Sequence, residues 1–530
     1  MYDYIIVGAG SAGCVLANRL TEEPNIRVLL LEAGGKDTSP WIHVPVGFTK
    51  TLNNPKMNWN FKTEPEDNVS GRQIPIPRGR VLGGSSSING MLYVRGQAFD
   101  YDVWAQLGNR GWSYNDILPY FRKSENFERG SDAYRGGGGP LNVADMYEKH
   151  ELVDAFIDAG VEIGSKRNPD YNGAEQEGFG YYQITQRNGR RESAARAYLN
   201  PAKNRANLHI ETDAHVQNII IEGKHAVGVD YTVKGRKKEA RCNLEVIISA
   251  GAVQSPQILE LSGIGQPDLL RSNGIDVVHE LSGVGENYRD HYAARMNWRV
   301  NQPITLNEQT RGLNLAAETL KWLVSRRGVL TWTAGVGHGF MKTREELETP
   351  DVQFFFVHGS FKTATDRKLD KEPGMTLAVY QCRPESRGSI HIASPDSKNP
   401  PKIRPNFLST KLDQDTLVAG LRLCRKIGST EALGSYIDYE MNPGGSIATD
   451  QELLTFARDT GATTYHPMGT CKMGDDPMAV VDDRLRVHGM RGLRVIDASI
   501  FPTMPSANIN APVIMTAEKG ADMIKEDRTS

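Results

Sequence analysis

The chain opens on an apolar run, residues 2–7 (YDYIIV), and this pattern predicts a buried strand. The glycine-rich stretch Gly8-Ala9-Gly10-Ser11-Ala12-Gly13 follows at once. Residues 14–20 (CVLANRL) then continue as a helix, and residues 27–31 (RVLLL) form a second apolar strand ending at Glu32. Alternation in residues 208–210, 216–221 and 228–233 predicts a small antiparallel sheet. Residues 245–251 (EVIISAG) read as another buried strand running into glycine, and 493–499 (LRVIDAS) as a strand entering a loop. Between residues 296 and 460 longer helical patterns mix with strands such as 351–357 and 388–392, which suggests a separate region. Residues 108–139 are turn-rich and polar, with a glycine run at 136–139, and are expected at the surface.

Composition narrows the class. The 530 residues are 39% apolar and 24% charged, enough to bury a sizeable core, and the length suggests three or four folding units at about 150 residues each. The 62 basic residues nearly balance the 64 acidic ones, so nucleic acid and anionic membrane surfaces are poor main partners. Five scattered cysteines with no CxxC disfavour a zinc ribbon, a dithiol pair and a disulfide framework. No signal peptide and no run of 18 apolar residues is found, so a soluble cytoplasmic protein is expected, with peripheral contact with the inner membrane left open.

Strand, GxGxxG, helix, second strand and terminal acid together make a βαβ dinucleotide-binding unit, so the fold class is α/β with a Rossmann-like domain. Gly8 permits the tight turn, Gly10 lets backbone approach a pyrophosphate, and Gly13 lets helix and strand pack closely. The pyrophosphate fits the helix N-terminus, and Glu32 accepts hydrogen bonds from a ribose. The fingerprint alone does not choose between FAD and NAD.

Four ordered segments carry a wider likeness. They are that fingerprint, residues 79–89 (GRVLGGSSSIN), residues 251–265 (GAVQSPQILELSGIG), and a C-terminal set from Tyr465-His466-Pro467 to Asn508-Ile509-Asn510-Ala511-Pro512. Smaller matches sit at residues 283–287 with Asp290-His291, and at 383–388. Over essentially its whole length the chain resembles the glucose–methanol–choline (GMC) oxidoreductases, by texture their bacterial alcohol and choline dehydrogenase branch. The resemblance implies two domains. An FAD domain would be built from residues 1–155, 200–295 and 460–530, and a substrate domain with a mixed or antiparallel sheet flanked by helices from 156–199 and 296–459.

It also implies FAD as the dinucleotide and an alcohol as the substrate. It carries Gly8, Gly10, Ser11, Ala12, Gly13, Glu32 and Ala33 to the ADP half of the cofactor. Gly84, Ser85, Asn89, Gly90, Met91 and Leu92 match the loop along pyrophosphate and isoalloxazine, and Val216 the residue whose backbone meets adenine. Asp497, Ala498 and Ala511 fall where the C-terminal segments approach the ribityl chain and ring.

Oxidising a carbinol removes a proton from oxygen and a hydride from carbon. Flavin takes the hydride, so the protein must supply a base. His466 is the expected base, because imidazole titrates near neutral pH, and His338 is the next histidine to test. Asn510 is expected to bond the substrate oxygen. Relatives that link FAD covalently carry a His where this chain has Ile88, so FAD is expected to bind non-covalently. Choline-oxidising relatives carry a carboxylate at the place aligned with Val336, and the segment around it has no acid. A neutral primary alcohol, aliphatic or benzylic, in an apolar pocket near Trp332 is therefore expected, with electrons passing to a quinone or other acceptor. An oxidase using O₂ is the alternative, with choline dehydrogenase or a hydroxynitrile-lyase-type member of the fold further off.

Overall fold

The strand Tyr2–Val7 buries its last four residues and sits inside a seven-stranded sheet, flanked in parallel by Val28–Leu31 and by the end of Arg236–Ile248. The computed structural model describes residues 1–361 and 369–529 of the chain. Leu208–Glu211 extends the parallel part beyond Val28–Leu31, and Leu493–Val495 lies against residues 246–248. Arg236–Ile248 runs on past this core, and its first half pairs antiparallel with His225–Val233, which pairs with Ala214–Glu222. The expected antiparallel sheet is thus correct for residues 214–233 but not for 208–211. Alternation marks a half-buried strand and says nothing of its partner's direction.

The helix Ser11–Leu20 packs against the C-terminal helix Asn510–Thr529. Arg19 clamps Glu518 through two bonds of 2.8 and 2.7 Å, and the Ser11 hydroxyl donates to Asn510 Oδ1 at 2.6 Å.

A second seven-stranded sheet runs Ile437–Asn442, Tyr292–Val300, Gly374–Gln381, Val352–Val357, Gly337–Met341, Gly178–Tyr181, with Ala462–Thr463 paired to the start of Tyr292–Val300. Every pairing in it is antiparallel. One face is covered by helices: Gly420 of Lys411–Gly428 lies against Val379, and Phe156 of Glu151–Glu162 stacks on Phe356. By alternation along the strands, Arg295, Asn297, Phe355, Thr376 and Tyr380 share the other face, which looks into a cavity.

Residues 108–139 depart from the expected surface loop. A Ser113–Asp116 capping box starts a helix, Tyr114–Ser124, and Trp112, Phe121 and Arg135 are fully buried. The polar residues are there because they pair inside: Glu125 bridges Arg135 at 2.5 Å and Arg95 at 2.6 Å. By contrast, Gly312–Ser325 is a helix held by little more than Trp322, with Leu313 89% and Val324 79% exposed.

Candidate active site

A cavity of about 540 Å³ lies between the two sheets and is lined from both. At the first sheet the glycines work as the fingerprint requires. Gly8 has φ +98°, and a Cβ on it would stand 2.5 Å from the Ser249 carbonyl oxygen. A Cβ on Gly13 would meet the Gly8 carbonyl at 1.9 Å, whereas one at Gly10 would meet nothing within 4 Å. Gly13 therefore serves packing and lies outside the cavity lining, while Gly8, Gly10, Ser11 and Ala12 line it. The second glycine loop closes over the first: a Cβ on Gly84, at φ +52°, would sit 2.7 Å from Gly10 Cα.

Glu32 and Ala33 line the same end. The Glu32 carboxylate is buried and accepts from the Ala9 and Gly34 amides at 3.0 and 2.7 Å. Burial pushes its pKa up to about 7 against those two bonds. Gly84, Ser85, Asn89, Gly90, Met91 and Leu92 line the cavity as expected, as does Val216. Asp497 and Ala498 line it too, and the Asp497 carboxylate ties three segments together through Gly251 N–H, Ser255 Oγ and Ser499 N–H. Ala511 does not line the cavity; it is packed into the hydrophobic core.

His466 lies at the second sheet, 8% exposed and facing the cavity. Its backbone N–H is held by Asp290 at 2.8 Å, and Asp290 is also bonded by Thr463 and Tyr288. Burial raises the Asp290 pKa to about 6, opposed by those donors and by Arg78. The His466 tautomer follows from its neighbours. His291 Nε2 meets the Cys382 carbonyl oxygen at 2.8 Å, and a carbonyl only accepts, so Nε2 carries the hydrogen. Burial lowers the His291 pKa to about 4, so this ring is neutral and its Nδ1 offers a lone pair. His466 Nδ1, 2.9 Å away, therefore donates to it. The lone pair of His466 is left on Nε2, beside the cavity. Burial, then His291 and Arg78, hold His466 well below the ordinary histidine pKa, so the ring is neutral at pH 7.

The residue at that lone pair is Asn508, whose Nδ2 stands 3.2 Å from His466 Nε2 while its Oδ1 accepts from Gln353. Asn510, the residue expected there, also lines the cavity; it starts the last helix and its Oδ1 accepts from Ser11. Three further expectations are corrected. Trp332 packs edge-on to His358, Val336 is fully buried with its backbone bonded to Phe356 and Tyr182, and neither lines the cavity. His338 is buried among Tyr171, Tyr182 and Phe340, away from His466. The cavity wall instead presents Arg295, Asn297, Phe355 and Phe456. His291 behind the His466 ring, and Asn508 and Arg295 on the cavity lining, are residues to which motif reading gave no role.

A βαβ glycine cradle, a buried acid at its second strand and an imidazole with a bare nitrogen across the cavity define a dinucleotide-dependent oxidoreductase. Residues 2–293 and 384–517 match the N-terminal and C-terminal regions of the GMC oxidoreductases, and the chain belongs to that family. It is 43% identical to an oxygen-dependent choline dehydrogenase of Vibrio vulnificus, over 99% of this chain and 94% of that protein. It is 41% identical to an alcohol dehydrogenase [acceptor] of Pseudomonas putida, over 99% of this chain and 96% of that one. Among solved structures, pyridoxine 4-oxidase from Mesorbium loti superposes with a TM-score of 0.90 at 30% identity, covering 98% of this chain and 99% of that one. The cofactor is FAD. The open space at Gly10, the Glu32 carboxylate and the cavity's continuity from Val216 to His466 fit it.

Proposed function

We propose that the protein oxidises an alcohol to the aldehyde, with His466 as base and Asn508, in place of Asn510, bonding the substrate oxygen. The carrying observation is the unprotonated Nε2 of His466, whose tautomer is fixed by the chain from the Cys382 carbonyl through His291. Nε2 takes the hydroxyl proton, and Asn508 Nδ2 donates to the oxygen as negative charge develops on it. FAD, when bound, supplies the hydride acceptor. Ile88 lines the cavity with an apolar side chain, so the cofactor is held without a covalent bond.

Choline is a poor fit. Among the described residues the cavity's only carboxylates are Glu32 and Asp497, both at the first sheet and bonded by the chain's own donors, and the second sheet contributes the cation Arg295. An anaerobic screen of alcohols, choline included, with flavin bleaching as readout, tests the reaction. Re-oxidation by O₂ against a quinone analogue then separates oxidase from dehydrogenase. A flavin that no alcohol bleaches would sink the reading, and preferred bleaching by choline would overturn the charge argument.

Among the described residues no helix is long and apolar enough to cross a membrane. The near-neutral total charge hides a local feature, however. Leu313, Leu320, Leu323 and Val324 are exposed on Gly312–Ser325, Lys321, Arg326 and Arg327 gather at its end, and Glu318 turns inward to the Val329 amide. This pattern supports docking on an anionic lipid surface, where a lipid-soluble quinone would be at hand. Flotation with phosphatidylglycerol vesicles should carry the wild type and lose Leu313→Ser/Leu320→Ser; equal flotation of both would reject it.

A further inference from the structure

Arg295 lies in the strand Tyr292–Val300, on the face turned to the cavity. Register locates it against the base. Ala293 pairs with Tyr380, whose ring centroid is 6.3 Å from that of His466, and Arg295 pairs with Ala378. Arg295 therefore stands two residues, about 7 Å of strand, beyond the pair next to the imidazole.

Several other enclosed arginines of this protein have partners, although Arg289 keeps its Nε unpartnered and donates only to the Pro384 carbonyl. Arg78 donates to the Pro77 and Tyr465 carbonyls with Asp290 close by, and Arg494 holds Glu245 and Asp527. Arg191 has no carboxylate but donates to Ile42, Ser86 and Asn89 oxygens. Among the described residues Arg295 has neither a carboxylate nor a hydrogen-bond acceptor; its Cζ stands 5.9 Å from the Phe355 ring, and Tyr292 is near enough to act on its charge. Enclosure lowers its pKa below the ordinary arginine value. The surface it retains faces the cavity, next to Asn297, whose Oδ1 is also buried without a partner.

A buried cation left unpaired is costly, and a guanidinium is a planar fork shaped for a carboxylate. The glycine cradle for a pyrophosphate belongs to the other sheet, so cofactor phosphates do not supply this partner. We propose that Arg295 anchors the substrate: the alcohol carries a carboxylate several bonds from its hydroxyl, which docks on Arg295 while the carbinol meets His466. The spacing along the strand favours a hydroxymethyl-substituted aromatic acid over a short 2-hydroxy acid. The inference rests on the reading of this cavity as a site of alcohol oxidation, and it replaces the neutral alcohol expected from sequence with an anionic one.

The test uses FAD-loaded enzyme with 4-(hydroxymethyl)benzoate and benzyl alcohol as a matched pair. In the wild type kcat/KM should favour the carboxylate by about 10- to 100-fold, the worth of a charged hydrogen-bonded pair. Arg295→Met should collapse that ratio towards one, chiefly through KM, and Arg295→Lys should restore part of it. If Arg295→Met does not hold flavin, Arg295→Gln is read in its place. Equal kcat/KM for the pair in the wild type, or a preference that survives both Met and Gln, would overturn the anchor. A second arm needs no turnover: 4-methylbenzoate should perturb the flavin spectrum of the wild type and not of Arg295→Met. Bleaching by benzyl alcohol without 4-methylbenzoate binding defeats the anchor alone. Arg295-dependent binding with no bleaching by any alcohol defeats the oxidation reading alone.

Discussion

The two ends of the cavity are built on opposite principles. Where the first sheet lines it, acids are satisfied by the chain itself: Glu32 by the Ala9 and Gly34 amides, Asp497 by Gly251, Ser255 and Ser499. Where the second sheet lines it, polar groups face the space: the His466 Nε2 lone pair, met by the Asn508 amide, and the Arg295 guanidinium, which among the described residues has no anion. A cofactor that stays bound needs a preformed cradle. A substrate that must leave is better met by a few polar groups completed only when it is present.

The largest expected effect breaks the reactive end. His466→Ala should keep FAD while flavin reduction by alcohol falls by roughly 10²–10⁴-fold, with partial recovery at high pH where alkoxide forms without help. Stopped-flow reduction checks this, and a wild-type rate at pH 7 would remove His466 as base. Next comes a contrast between neighbours. Asn508→Ala should slow reduction by about 10–10³-fold. Asn510→Ala should mainly loosen FAD, by about 1 kcal/mol for the lost Ser11 bond, and the reverse order would restore Asn510 as the substrate ligand.

The cradle is probed by pH. Burial raises the Glu32 pKa from 4.5 to about 7, so without cofactor the carboxylate is partly protonated near neutrality. Because the folded value is the higher one, this group makes the FAD-free protein less stable as pH rises from 4.5 to about 7. Ribose hydroxyls donate to the ionised form, so FAD affinity should climb as pH rises towards 7 and level off above. Glu32→Gln should flatten that profile and weaken binding at pH 8 by about 1.5–3 kcal/mol. Fluorescence titration of the FAD-free protein reads both, and an unchanged profile would take Glu32 off the ribose. The smallest effect is at Trp332, which packs beside the cavity wall and not in it. Trp332→Phe should lower stability by about 1–3 kcal/mol in thermal melts and leave KM within about twofold.

The same contrast decides what could be read from sequence. Gly8, Gly13 and Glu32 belong to one βαβ unit, and local sequence dictates their geometry. The reactive end gathers residues 290–295, 376–380, 464–466 and 508 from separate segments. His291 was visible beside Asp290, but its role depends on a carbonyl 91 residues away. Asn508 and Asn510 sit in one Asn-Ile-Asn motif, and only the start of the last helix shows which of them turns towards Ser11. Trp332 and Val336 were placed near the substrate by the family resemblance, yet strand register around Phe356 carries Val336 into the ladder and the core. Buried Arg135 was hidden for the same reason: a polar residue reads as surface until its partners Glu125 and Asp170 are brought together in space.

The clamp between the first and last helices has a consequence for biosynthesis. Ser11 and Arg19 find Asn510 and Glu518 across 499 residues each, so the first turn of the nucleotide fold gains its covering helix only after residues 510–518 have left the ribosome. Until then the helix Ser11–Leu20 has an uncovered face where the C-terminal helix will pack. An apolar helix face that stays open through synthesis of the intervening chain is a surface on which nascent chains can associate.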